Sequence, residues 1–334
     1  MTDEGTIRKG RMKIDVIINP AAAGGETTVL WQRLIPLFAG CEITEHYSSK
    51  EDPIEAIAER ITSGGKEVFL IVIGGDGTIN DAVNGIADFA RTRFAFLPCG
   101  SANDLAKDLV SDRSAEELVQ SILQGEKRRD MDVGEVIFHN EVNRADLFAN
   151  QFDPREFREE RRRRFNVSAG MGWDAEICEK VMVSRFKKPL NFLHLGKLVY
   201  IAEAIRTISA MKKFHCKLTL EDGEVFDVPS CMFTAIMNHR YEGGGFMFGP
   251  GAKDDDGLLD LCIAGNLSAL DFFALFPLAY SGKHVGRREV FLKKASSLRI
   301  ESDVPVWVHT DGEVQAQSTD ITVRILPEKL HLLF

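Results

Sequence analysis

No stretch of this 334-residue chain is both long and apolar enough to cross a bilayer. The longest, ALDFFALFPLAY at 269–280, falls short of the ~20 residues a membrane helix needs and contains Asp271. The opening MTDEGTIRKGRMK lacks the apolar core of a secretory signal. Cysteine is sparse: Cys41, Cys99, Cys178, Cys216, Cys231 and Cys262 stand singly, with no C-x-x-C pair. That spacing argues against a zinc site and fits buried free thiols in a reducing compartment. Positive charge is also short. With 41 Lys and Arg against 50 Asp and Glu, the net charge of −9 argues against nonspecific nucleic-acid binding, though it leaves room for a local basic patch. No internal repeat is evident. These absences predict a cytoplasmic protein, and the length predicts about two domains.

The first part of the chain alternates apolar runs with helix-like segments. Strands are expected at 12–20, 41–47, 66–73 and 93–98, and helices at 27–40, 52–65, 78–86, 102–109 and 114–124. In the second helix Asp52 reads as the N-cap, with Pro53 at the first helical position. The run KEVFLIVI is continuously apolar, as expected of a strand covered on both faces. This order predicts a Rossmann-like α/β domain with a mainly parallel sheet over residues 1–130. The texture changes after Asp130. Short runs at 131–140, 215–220, 223–229, 231–237, 258–264, 297–302, 304–310 and 320–326 read as strands, interrupted by helical stretches at 191–211 and 268–283. They predict an antiparallel β-sandwich over 131–326. Residues 327–334 are expected to return to the first domain.

One segment departs in composition: NEVNRADLFANQFDPREFREERRRRF at 140–165. It reads either as a solvated hairpin insertion or, through Arg161, Arg162, Arg163 and Arg164, as a basic patch facing an anionic membrane surface.

Three loops at strand ends carry the candidate chemistry. NPAAAGG (19–25) has small residues that let phosphates approach the backbone where a helix begins. GGDGTIND (74–81) follows the VFLIVI strand. Its spacing is not a dinucleotide fingerprint, and no lysine–hydroxyl pair makes it a P-loop. The acid Asp76 sits inside the turn, which suits phosphates if Mg2+ lies between them, or else a structural turn hydrogen bond. Thr78 reads as an N-cap or phosphate contact, and Asn80 and Asn84 share a helical face. LPCGSANDLAKDL (97–109) offers Ser101 and a cap from Asn103 or Asp104. Farther on, Asp254, Asp255, Asp256 and Asp260 form a block whose acids repel unless a cation or basic partner compensates. His239 and His309 read as structural histidines. The GGG at 243–245, flanked by Tyr241, Phe246, Met247 and Phe248, reads either as an acyl-chain entrance or as core.

In order and spacing these loops resemble the catalytic domain of diacylglycerol-kinase-type lipid kinases, a family that includes bacterial diacylglycerol and phospholipid kinases and the sphingosine and ceramide kinases. NVSAGMGWDAEI (166–177), LGKLVYIAEAIRTI (195–208), MNHRYEGGGFMFGPGAKDDDGLLDL (237–261) and HTDGE (309–313) resemble its later blocks, so the likeness covers nearly the whole chain. The pair Asn238–His239 departs from the family's asparagine–glycine, and the 140–165 insertion is unusual. Both touch the expected substrate domain and leave the phosphoryl chemistry intact.

The resemblance implies ATP held by Asn19, Pro20, Ala21, Gly24 and Gly25, by Gly74, Gly75, Asp76, Gly77, Thr78 and Asn80, and by Ser101, with Ser48 or Ser49 nearby. It implies Mg2+ with Asp256 as ligand beside the carbonyls of Lys253 and Leu258. It also implies Asp76 and Glu313 as catalytic groups, Glu313 being the base that deprotonates a lipid hydroxyl. From the residues alone, Glu313 reads as part of a DG hairpin turn. The expected activity is transfer of the ATP γ-phosphate to diacylglycerol or a related lipid, by a protein peripheral to the inner membrane face and capable of homodimerising. An NAD-kinase-type enzyme, which shares GGDGT, and a non-catalytic lipid-binding protein are the alternatives.

Overall fold

Strand β1 (Lys13–Ile18) lies between β2 (Glu42–Tyr47) and β3 (Val68–Gly74), and β4 (Thr92–Pro98) follows β3. The computed structural model describes residues 12–141, 160–183 and 213–334. The expected helix at 191–211 and residues 142–159 of the insertion lie outside the described residues.

The chain divides into two units, Met1–Val133 with Pro327–Phe334, and Gly134–Leu326. The first is a six-stranded sheet in the order β2-β1-β3-β4-β15-β5, where β5 is Arg128–Met131 and β15 is Leu330–Leu333. All neighbours are parallel except β15 and β5. The reversal of strand order between β1 and β3 is the kind of switch point where open α/β sheets bind ligands. Ile17, Ile18, Leu70, Ile71, Val72, Ile73, Phe94 and Leu97 are fully buried, because helices cover both faces of the central strands.

Those helices are α1 (Glu26–Leu34), α2 (Ile54–Thr62), α3 (Asp76–Gly85), α4 (Asp104–Leu109) and α5 (Ala115–Gln124). The helix expected at 27–40 stops at Leu34. Pro36 lacks an N–H, and a 3-10 turn (Ile35–Phe38) replaces the last turns. Pro53 precedes α2 in an extended conformation, and Asp52 pairs with Arg60 at 2.9 Å instead of capping. No side chain caps α2; the Ser49 hydroxyl accepts the Glu51 and Asp52 amides, each at 3.1 Å, within the turn that precedes the helix.

The second unit is a nine-stranded, largely antiparallel sheet. Its strands are β6 (Gly134–Phe138), β7 (Arg161–Phe165), β8 (Ser168–Gly172), β9 (Phe214–Leu220), β10 (Val225–Met237), β11 (Leu259–Gly265), β12 (Val290–Ala295), β13 (Ser297–Thr310) and β14 (Glu313–Ile325). The path runs β12-β11-β10-β8-β13-β14-β6-β7, and β9 pairs with both β10 and β13. This curling produces the sandwich-like layering expected for the region. One apolar cluster (Val136, Phe165, Met171, Leu218, Ile236, Ile300, Val308 among others) fills it. A second, around Trp173, Phe233, Met237 and Phe248, lies by helices α6 (Trp173–Val183) and α7 (Ala269–Tyr280).

Two pairs of expected strands are each one long strand. The runs 223–229 and 231–237 join as β10, with a register shift between Val228 and Cys231 around Pro229. The runs 297–302 and 304–310 join as β13, with an irregularity between Glu301 and Val306 around Pro305. Proline removes one ladder donor, which a bulge absorbs without ending the strand. The four arginines are likewise not in a solvated loop. They form β7, paired residue for residue with β6.

Candidate active site

The candidate residues divide between the units. In the first, the loops after β1, β3 and β4 emerge from the same edge of the sheet. Asn19 organises them: its Nδ2 donates to Thr78 Oγ1 at 3.1 Å, its Oδ1 accepts the Ala21 amide at 3.1 Å, and its carbonyl accepts Thr27 Oγ1 at 2.6 Å. Ala23, Gly24 and Gly25 take successive left-handed conformations before α1 begins, with Pro20 and exposed Ala21 leading into the turn. The next two loops meet backbone to backbone. A Cβ on Gly100 would lie 2.6 Å from the Gly75 Cα, and one on Gly75 would lie 3.2 Å from the Gly100 Cα. Gly74 is filled over by Thr78 in the same way, at 2.5 Å.

Asp76 opens α3, and its Oδ1 accepts the Leu105 amide at 3.3 Å, in the first turn of α4. The acid in the glycine turn therefore has a structural partner at a helix N-terminus, where a carboxylate is favoured. It remains half-exposed, beside half-exposed Gly77. Asn80 is fully buried, and its carbonyl and Oδ1 accept the Asn84 amide group at 2.9 and 3.1 Å. Ser101 is exposed on its loop. Of the two serines after β2, Ser49 is committed to its turn, whereas the amide of half-buried Ser48 donates to Ile18 O at 3.0 Å.

In the second unit, β13 and β14 form a hairpin whose two-residue loop is Asp311–Gly312, both at positive φ. This is the turn type that Asp-Gly favours. Glu313 is the first residue of β14 and is exposed. The Asp311 carboxylate accepts the main-chain amides of Asn166, Val167 and Ser168 at 2.9, 2.8 and 3.0 Å, and the Asn166 side chain at 3.2 Å. The turn that bears Glu313 is thereby pinned to the start of β8. The Asp-Gly spacing marked the turn in the sequence but not this anchorage.

His309, fully buried, lies between two carboxylates: Nε2 is 3.0 Å from Glu242 Oε1 and 3.2 Å from Asp174 Oδ2. Among the described residues this is the one group whose ligand atoms lie close enough together to hold a metal. Hydrogen-bond distances from Nε2 to both acids place a proton between them, which makes the cluster a closed ion pair. Burial draws the imidazole pKa down, but Glu242 and Asp174 outweigh it and push it up to about 10. The Gly312 amide donates to Nδ1 at 3.2 Å, which favours the neutral tautomer. Two carboxylates at about 3 Å outweigh one amide dipole, so the raised direction holds. Gly170 makes room for the cluster: a Cβ there would lie 2.1 Å from Asp174 Oδ2 and 2.2 Å from His309 Nε2. Glu242 Oε2 is buried and has no hydrogen-bond partner.

The acidic block has its own cation. Lys294 Nζ lies 3.2 Å from Asp256 Oδ2 and 2.9 Å from Asp260 Oδ2, and it donates to the Gly251 carbonyl at 3.3 Å. Asp256 Oδ1 accepts the Leu258 amide at 3.1 Å, and Lys253 is exposed. Burial raises the Asp260 pKa and Lys294 opposes the rise. As a donor set, Asp256 with nearby carbonyls suits a hard divalent cation, but Lys294 already compensates its charge and a metal would compete with it. Asp76, half-exposed in its loop, is a carboxylate that also suits such a cation.

Arg161 pairs with Glu141 at 3.0 Å and donates to Gln315 Oε1 at 2.8 Å, and Arg162 pairs with Glu160 at 3.4 Å and Glu135 at 3.8 Å. All six cysteines are free; Cys216, Cys231 and Cys262 are buried and the other three are partly so. No helix of the described residues is long and apolar enough to cross a membrane.

The diacylglycerol kinase catalytic domain matches residues 13–136, and the YegS C-terminal NAD kinase beta sandwich-like domain matches residues 167–334. The chain belongs to the diacylglycerol-kinase-type lipid kinases. Within this family, YtlR of Bacillus subtilis is 27% identical over 304 residues, covering 89% of this chain and 92% of that protein. A diacylglycerol kinase of Staphylococcus carnosus is 26% identical over 314 residues, covering 92% and 90%. A solved structure from Bacillus anthracis matches with a TM-score of 0.71 at 24% identity, over 96% of this chain and 97% of that one, and shows the shared fold. The family places the chain among kinases with a two-domain plan: an α/β unit followed by an antiparallel β-sandwich-like unit.

Proposed function

We propose that this protein uses ATP and Mg2+ to phosphorylate the hydroxyl of diacylglycerol or a closely related lipid, working from the inner membrane surface as a peripheral protein. The observation that carries the reading is the convergence of the loops after β1, β3 and β4 on one edge of the sheet, with Gly75 and Gly100 in backbone contact and Asp76 at the start of α3. Loops with so little side-chain bulk present amides to phosphates. Ser48 and Ser101 would add hydroxyls. Mg2+, when bound near Asp76, supplies neutralisation of phosphate charge. Asp256, with the Lys253 and Leu258 carbonyls, would hold a second cation only by displacing Lys294. Exposed Glu313, on a turn fixed by Asp311, would accept the proton of the lipid hydroxyl.

The test is a labelled-ATP assay on a lipid extract, with the phosphorylated product identified by mass spectrometry. A phosphorylated lipid is expected. Faster phosphorylation of soluble NAD than of any lipid would overturn the reading in favour of an NAD-kinase-type enzyme. Lipid binding with no phosphate transfer would favour a non-catalytic lipid-binding protein.

A further inference from the structure

Four of the nine exposed large hydrophobics among the described residues fall within thirteen residues: Tyr280, Val285, Phe291 and Leu292. They lie at the end of α7, in the following turn and on β12, which is the edge strand of the second sheet. Edge strands are usually blunted by charge or covered; this one carries Lys293 and Lys294, both paired with acids, and before them the exposed Phe291 and Leu292. These two alternate across the sheet: Leu292 stands opposite Cys262, on the side of the cluster that Tyr280 and Phe246 adjoin, and Phe291 opposite Ile263, on the other side. Interleaved with them are Lys283, Arg287 and Arg288, all exposed, and none of these three side chains forms an ion pair among the described residues. On a chain of net charge −9, uncommitted cations around exposed apolar side chains are a local exception. The arginines of β7, by contrast, include Arg161 and Arg162, which are held by Glu141, Glu135 and Glu160.

We propose that the surface formed by Tyr280, Val285 and Leu292 with Lys283, Arg287 and Arg288 docks on an anionic lipid bilayer. The choice of a bilayer as occupant rests on the lipid-kinase reading, and the charge pattern supports it: cations suit anionic headgroups while the apolar side chains enter the interface. The interior continues the same surface. Tyr280 packs edge-on against Phe246 at 5.6 Å, Phe246 stacks on Phe248 at 5.9 Å, Phe248 meets Phe233 at 5.6 Å, and Phe233 meets Trp173 at 6.2 Å. Trp173 adjoins Asp174, and Phe246 is bridged to Glu242. These rings are packed core side chains, so the docking surface rests on the same apolar cluster that borders Asp174 and Glu242.

The experiment is flotation of the full-length protein with vesicles of phosphatidylcholine and phosphatidylglycerol, and with vesicles of phosphatidylcholine alone. Each cation near an anionic surface contributes about a fivefold gain in partitioning, so Arg287→Glu with Arg288→Glu should weaken binding to the anionic vesicles by at least ~20-fold. Val285→Ser with Leu292→Ser should weaken binding to both kinds of vesicle. Sedimentation velocity on the same variants should show an unchanged mass. Vesicle binding unchanged in both double variants, or absent in the wild type, overturns the proposal. So does a loss of dimer in the variants, which would make the surface a contact between two copies. Docking without phosphorylation of any lipid would leave this surface standing and remove the kinase reading. Equal phosphorylation of vesicle lipid by wild type and charge-reversed protein would do the opposite.

Discussion

Asp311 holds Val167: its Oδ1 accepts the Val167 amide at 2.8 Å, and the flanking amides of Asn166 and Ser168 close on the same carboxylate. A hairpin turn that could have been a surface loop is thus fastened to the strand beside it. The exposed carboxylate of Glu313 stands two residues farther on.

This arrangement separates stability from activity. Asp311→Ala should lower stability by about 2–3 kcal/mol, since it strands several buried amide donors. Glu313→Gln should leave thermal unfolding within about 0.5 kcal/mol of wild type, as for an exposed residue, and reduce turnover by ~100-fold or more as a lost general base. Differential scanning fluorimetry beside the kinase assay checks both. A destabilised Glu313→Gln or a fully stable Asp311→Ala would contradict the division.

Asp76→Asn keeps an oxygen that can still accept the Leu105 amide, so folding should persist while ATP turnover falls by ~100-fold. Wild-type turnover in a folded Asp76→Asn protein would reduce Asp76 to a turn residue.

His309 gives a pH dependence with a defined sign. Its folded pKa is raised to about 10 from an ordinary 6.5 by Glu242 and Asp174, against burial. The folded state therefore holds a proton that the unfolded state releases. The stability it contributes is complete below about pH 6.5 and is lost as pH rises towards about 10. Denaturant midpoints measured from neutral to alkaline pH should fall more steeply for wild type than for His309→Gln. Parallel curves would show that the proton is not held. Gly170→Ala should disrupt the same cluster, because its Cβ would overlap Asp174 and His309.

Lys294→Met should destabilise the acidic block by about 1 kcal/mol, a modest value because the pair is partly exposed. If a cation can replace the ammonium, millimolar Mg2+ should restore more stability to Lys294→Met than it gives wild type, measured by thermal unfolding. No differential effect would mean that the block functions as an ion pair alone.

Much of the first unit was legible because its signals are local. The VFLIVI run specified a strand covered on both faces, and GGDGT and PCGS marked the loops at its edge by glycine and small-residue spacing. The second unit was less legible where proline suggested an ending. Pro229 and Pro305 cost one donor each, and long strands absorbed the loss in bulges. The arginine run gave no sign of being a strand, since Arg161 and Arg162 find a glutamine and an acid contributed by distant segments.

The sequence by itself determined the succession of strands and helices, the glycine-rich loops and the Asp-Gly turn, because each depends on neighbours within a few residues. Tertiary structure alone decided that Asp311 meets Val167 across 144 positions and that His309 meets Asp174 across 135. It also decided that Lys294 neutralises Asp256. Such pairings follow from strand order and register, which no periodicity in a single segment encodes.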